Sequence, residues 1–274
     1  MAFNPITHSD QKQDYEEGSL GELESISDCE KVLWYPESRK YSRRELFLDQ
    51  VVLILGALFG CVATPMLLWK STIHGGDEAL KVSGFCVYSL GLCAMLDASL
   101  LFNRYAHREG WFATLLAIDT ISINLMIAGS YTPLCFYVEC WHLLYMVWLL
   151  AFIGIGYQLV NFGVPLGERK NIDLFLFLVM GWSVMLFYPQ VFPHVLDWGG
   201  RCLLACGILC TVGAGFNQWQ SLEFHKVVWH VLVLAATVII YVWFYADFAG
   251  VSKLDGRTEY VSDDPPFGEG LLTH

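Results

Sequence analysis

Seven separate stretches of about twenty apolar residues, each almost free of charge, recur along this 274-residue chain. A helix needs about that length to cross a hydrocarbon core roughly 30 Å thick. Repetition of such blocks has no use in a water-soluble domain, whose surface must carry charge. The chain is 55% hydrophobic and only 16% charged, with a mean hydropathy of +0.46. These features predict an all-α, multi-pass integral membrane protein with spans at 47–69, 82–103, 112–133, 141–160, 172–192, 201–217 and 227–248. Whether it sits in the plasma membrane or an internal membrane is not written in the sequence. Trp69, Trp111, Trp141, Trp198, Trp219 and Trp229 mark span ends, as expected for indole rings at the headgroup level.

The flanks differ from the spans. Residues 1–46 are acidic and polar, with Asp10, Asp14, Glu16, Glu17, Glu22 and Glu24, and read as a mostly disordered tail open to protein partners. Residues 249–274 read as a second polar tail, loose and containing Pro265 and Pro266. The first 38 residues lack an apolar stretch, so no cleavable signal peptide is expected. Orientation follows from basic residues. With seven spans, Lys12, Lys31, Arg39, Lys40, Arg43, Arg44, Arg104, Arg108, Arg169, Lys170 and Lys226 fall on the N-terminal side. Lys70, Lys81, Arg201, Lys253 and Arg257 fall on the other. The excess predicts a cytoplasmic N-terminus and a C-terminus across the membrane. No basic stripe exists for nucleic acid.

Cys61, Cys86, Cys93, Cys202, Cys206 and Cys210 lie inside apolar spans and act there as small apolar residues. Cys135 and Cys140 share one short loop; whether they pair is left open, since it depends on the redox state of the side that loop faces.

Ionisable groups inside a bilayer are costly and each is a candidate for function. Here they are Asp97, Asp119, Lys226 and His230, with Ser99, Asn103 and Asn124 as neutral neighbours. Ser99 and Asn103 are four residues apart, as are Lys226 and His230, so each pair shares a helix face. Five groups from three helices, Ser99, Asn103, Asp119, Lys226 and His230, are expected to converge near the N-terminal side. Each also has a plain structural reading. Asn103 and Lys226 reach water or headgroups from helix ends, His230 is a satisfied interior histidine, and Asp119 caps a loop or meets Arg104. Asp97 and Asn124 lie nearer mid-membrane with no partner assigned.

The segment Gly91-Leu92-Cys93-Ala94 through Ser99-Leu-Leu-Phe-Asn103 is similar to a Ser-x-x-x-His stretch. Asp119, the run Ile127-Ala128-Gly129-Ser130-Tyr131-Thr132-Pro133, and Phe224-His225-Lys226-Val227-Val228-Trp229-His230 follow in order, the last similar to a His-x-x-x-His motif. On these residues the chain, over about 50–248, resembles the progestin and adipoQ receptor / haemolysin III family of seven-helix membrane proteins. The resemblance implies a zinc ion held by three histidines, with the serine and aspartate close by. It also implies either a receptor for a lipid or steroid-like ligand or a ceramidase-like hydrolase of lipid amides.

This chain departs from that pattern at the metal. Asn103 and Lys226 stand at two of the three ligand positions, and only His230 remains. Zinc takes imidazole, thiolate or carboxylate, usually from three residues at a catalytic site. His225 lies five residues from His230, about 140° around a helix, and does not complete the set. The expectation is a receptor or membrane regulator without a metal cofactor, in which the Lys226 ammonium replaces the ion's charge beside Asp119. The alternative is a zinc-dependent lipid amide hydrolase with an altered site. A retinal-type or ion-moving protein ranks last, because it wants a lysine deep in the last span.

Overall fold

The computed structural model describes residues 42–74, 79–105, 110–162, 166–195, 197–249, 251–254 and 257–260. The acidic residues 1–41 and the end of the C-terminal tail lie outside them. The chain packs as two units: residues 41–162 with 173–274, and residues 1–40 with 163–172. Only the opening turns of one helix represent the second unit among the described residues. The cavity and the polar cluster described below belong wholly to the first.

Seven helices among the described residues are long and apolar enough to span a bilayer. Their α-helices are α1 (Arg43–His74), α2 (Ala79–Tyr105), α3 (Phe112–Val138), α4 (Trp141–Val160), α5 (Leu166–Trp182), α6 (Asp197–Gln218) and α7 (His225–Trp243), with the fifth crossing, Asn171–His194, running on past α5. The protein is an all-α, multi-pass integral membrane protein. Large apolar side chains such as Leu55, Leu58, Phe152 and Phe175 stand exposed on the helices, as suits a surface that meets lipid.

The helix ends differ from the spans read from hydropathy, for local reasons. α1 begins at Arg43, ahead of the apolar run, because Ser42 and Glu45 form a capping box. The Glu45 backbone N–H donates to Ser42 Oγ (3.2 Å) and the Ser42 N–H donates to Glu45 Oε2 (2.7 Å). The fifth span is broken. Its α-helix stops at Trp182 and continues as a 3-10 segment Ser183–Phe187, a single α turn Tyr188–Val191 and a 3-10 turn Phe192–His194. Pro189 and Pro193 each withhold a backbone donor there. α7 closes in a π turn, Phe244–Phe248. The C-terminal tail, expected to be loose, contains a short antiparallel ribbon of β1 (Val251–Leu254) and β2 (Arg257–Tyr260), with Val251 opposite Tyr260.

α2 and α3 form the heart of the bundle. Their backbones meet at reciprocal glycines: a Cβ at Gly91 would stand 3.0 Å from the Leu125 carbonyl oxygen, and one at Gly129 3.2 Å from that of Val87. Small residues permit this approach, and van der Waals contact rewards it where lipid supplies no hydrophobic drive. Asn124, left unpartnered by sequence reasoning, donates to Thr120 O at 3.0 Å. Its side chain fills the space beside Gly154 of α4 where a Cβ would sit.

Trp69, Trp111, Trp141, Trp198 and Trp219 are exposed near helix ends. Trp229 is not part of that belt: it packs on Gly213 of α6 and faces the interior cavity. Cys135 and Cys140 are both buried as free thiols.

Overpacking at the α2–α3 crossing is testable. Gly91→Val forces a side chain onto the α3 backbone and is expected to lower unfolding stability by about 1–3 kcal/mol. Gly156→Ala, where nothing stands within 4 Å of the added carbon, is expected to be neutral. Thermal unfolding in one detergent compares the two.

Candidate functional site

The polar groups gather where α1, α2, α3 and α7 meet, and a residue absent from the sequence reading organises them. Asp49 of α1 is buried, its side chain only 4% exposed. Its Oδ1 accepts a hydrogen bond from His230 Nδ1 at 2.5 Å, and its Oδ2 accepts one from Asn103 Nδ2 at 2.6 Å. One carboxylate thus binds three helices. A carboxylate in a low-dielectric setting persists only with such donors.

A second carboxylate stands nearby. Asp119 of α3 accepts a hydrogen bond from Ser99 Oγ of α2 at 2.5 Å. Lys226 acts on both Asp49 and Asp119 through space, and its Nζ stands 5.4 Å from the centre of the Phe102 ring. The direct hydrogen bond to Asp119 therefore comes from Ser99, while the lysine contributes charge at a distance. All five expected residues lie in this region, distributed between two carboxylates rather than around one point. Asp97 takes no part: it is exposed on the outer face of α2.

The seam between α1 and α7 has further fasteners. Glu45 Oε1 accepts the Phe224 N–H at 2.9 Å, directly before α7 and at a left-handed residue with φ 62°. His225 opens the helix and is buried, with Nδ1 donating to Leu222 O at 3.0 Å. At the other end, Lys70 Nζ donates to Tyr245 O at 2.9 Å and lies over the Tyr245 ring.

Ser99, Asp119 and His230 line one end of an interior cavity of about 220 Å³. Asp49 and Asn103 are not part of that lining. The His230 side chain keeps 18% exposure, against 4% for Asp49, so Asp49 orients the imidazole from behind while its other edge remains open. The cavity follows α7 from Trp229 to Phe244, a rise of about 20 Å. Its walls are mostly apolar, among them Met126, Leu134, Phe177, Val233 and Ile240. Around it α5 is held by side-chain bonds: Tyr131 Oη donates to Gly181 O (2.7 Å), Trp182 Nε1 to Thr211 Oγ1 (3.0 Å), and Gln158 to Asp173.

Comparison with known proteins agrees with this architecture. The haemolysin-III related family matches residues 51–241. The chain belongs to the haemolysin III family. Hemolysin-3 of Bacillus cereus is 31% identical over 195 residues, covering 68% of this chain and 84% of that protein. The Hemolysin-3 homolog of Bacillus subtilis (strain 168) is 27% identical over 191 residues, covering 68% and 86%.

The zinc ion that the family resemblance implies is a poor fit to these side chains. An asparagine amide and a lysine ammonium occupy two ligand positions, and a protonated ammonium has no lone pair to give. His230, whose Nδ1 donates to Asp49, keeps Nε2 as a nitrogen able to take a metal, which is one ligand where a catalytic site uses three. Among the described residues, no three His, Cys, Asp or Glu side chains group so as to hold one ion.

Removing the organising carboxylate tests its role. Asp49→Ala leaves the buried donors of Asn103 and His230 unmatched and is expected to cost about 1–3 kcal/mol of stability. Combining it with His230→Ala is expected to cost less than the sum of the single changes, because both remove one contact. A double-mutant cycle of unfolding midpoints reads this coupling.

Proposed function

We propose that this chain is a non-catalytic member of its family, a receptor or membrane regulator that works without zinc and takes a lipid-like ligand in its interior cavity. The donor set carries this reading. Where a three-histidine site would stand, Asn103 and His230 are bound to Asp49, and Lys226 places a fixed positive charge near both carboxylates. A lysine supplies in covalent form part of the charge that a metal would bring, and needs no loading. The cavity supports a lipid-like ligand by its length and its apolar walls, with Ser99, Asp119 and His230 as the polar end. On the orientation expected from the basic residues, that end lies toward the cytoplasm, on the same side as the acidic N-terminal tail and its protein partners.

Metal content and activity of the full-length protein, purified in detergent, test the reading together. Zinc is expected well below one ion per chain and unchanged by His230→Ala, with ceramide hydrolysis at background. Restoring imidazoles with Asn103→His and Lys226→His together is expected to raise zinc toward one per chain. Near-stoichiometric zinc in the unaltered protein, lost in His230→Ala, would instead support the lipid amide hydrolase.

A further inference from the structure

α2 carries a charge on its wrong face. Asp97 is exposed on the outside of the bundle, and among the described residues no hydrogen bond or ion pair reaches it. It lies eight residues before Tyr105, the last residue of this 27-residue helix, or about 12 Å along the axis. A helix about 40 Å long centred on a core about 30 Å thick overhangs by about 5 Å at each end, which leaves Asp97 about 7 Å inside the hydrocarbon. An aspartate side chain is too short to snorkel that far. Ionisable residues at such depth almost always face a bundle interior or a partner.

The surroundings have the form of a helix-docking seam. Leu90, Ala94, Asp97, Leu101 and Arg104 are all exposed, at spacings of four, three, four and three residues. That is the heptad pattern along which a second helix packs at about +20°. Ala94, one turn from Asp97, leaves room for a close approach. This stripe is otherwise apolar toward its middle, where it holds a carboxylate that no hydrogen bond or ion pair reaches among the described residues.

We propose that the Leu90–Arg104 face of α2 is the docking surface for a transmembrane helix of another protein that presents a lysine or arginine at the depth of Asp97. A second copy of this chain is the poorer occupant. About a two-fold axis along the membrane normal, Asp97 would oppose Asp97, and Arg104 is displaced by seven residues, about 10 Å. A basic partner helix both neutralises the carboxylate and removes it from lipid. This inference is independent of metal content and of what fills the cavity.

The test uses the full chain reconstituted in phosphatidylcholine vesicles with a labelled leucine-rich single-pass helix carrying one lysine at the matching depth. Its sister helix carries leucine instead. Energy transfer is expected to show about tenfold tighter association of the lysine helix, the size of a polar interhelical contact of 1–2 kcal/mol in model peptides. Asp97→Leu is expected to abolish the preference. Asp97→Lys paired with an aspartate-bearing helix is expected to restore it, which also shows that the altered proteins are folded. Equal association of the lysine and leucine helices overturns the proposal, as does a preference that survives Asp97→Leu. Self-association of the chain through α2, blocking the lysine helix, overturns it in favour of a second copy.

Discussion

A buried carboxylate on the first helix is the constraint from which the polar architecture follows. Buried Asp49 has each carboxylate oxygen matched by a donor, and the two donors come from α2 and α7. The bond that satisfies the charge therefore also closes the bundle, joining the first helix to the last. Glu45 repeats the device one turn earlier, tying the entry of α7 to the capping box of α1. Lys70 does so with opposite charge at the far end, against the carbonyl of Tyr245 at the π turn. Lipid offers no hydrophobic reason for α1 and α7 to associate, so such contacts, together with close packing, must supply it.

The two halves of the bundle solve the packing problem differently. α2 and α3 approach through glycines until backbone meets backbone, which leaves no room between them. α5 is instead fixed by the long side chains Tyr131, Trp182 and Gln158. Tyr131, Gly181 and Trp182 themselves line the cavity that α5 borders. The change to 3-10 geometry follows Trp182, and a carbonyl beside it, that of Gly181, accepts the Tyr131 hydroxyl.

Hydropathy made the seven spans legible, because a bilayer imposes one length and one composition on every crossing. Ser99, Asn103, Asp119 and His230 were legible for a related reason: polar groups stand out within apolar runs. Asp49 was missed because it stands at the start of the first span, among basic and acidic flanking residues that read as interfacial. A signal was present, since Ser42-x-x-Glu45 is a capping box that starts the helix earlier and carries Asp49, one turn on, to the same face as Glu45. Hydropathy also cannot tell an interfacial tryptophan from one turned inward, and so Trp229 was grouped with the belt. The expected Lys226–Asp119 relation is a through-space one here, and the direct hydrogen bond to Asp119 Oδ1 comes from Ser99.

α2 stands at the junction of these features. Ser99 and Asn103 face inward to the two carboxylates, while Asp97, two residues from Ser99 and so about 200° around the axis, faces out. Two acidic side chains near the same depth therefore have opposite solutions. Asp119 accepts the Ser99 hydroxyl, whereas among the described residues no hydrogen bond or ion pair reaches Asp97. The glycine crossing brings the α2 and α3 backbones into close contact, so the outer stripe and the Ser99–Asn103 face belong to one tightly packed element. A helix seated on the outer stripe and a molecule seated against Ser99 and Asp119 would press on the same element from opposite sides. Their binding energies would be coupled to the extent that each shifts α2 along its axis.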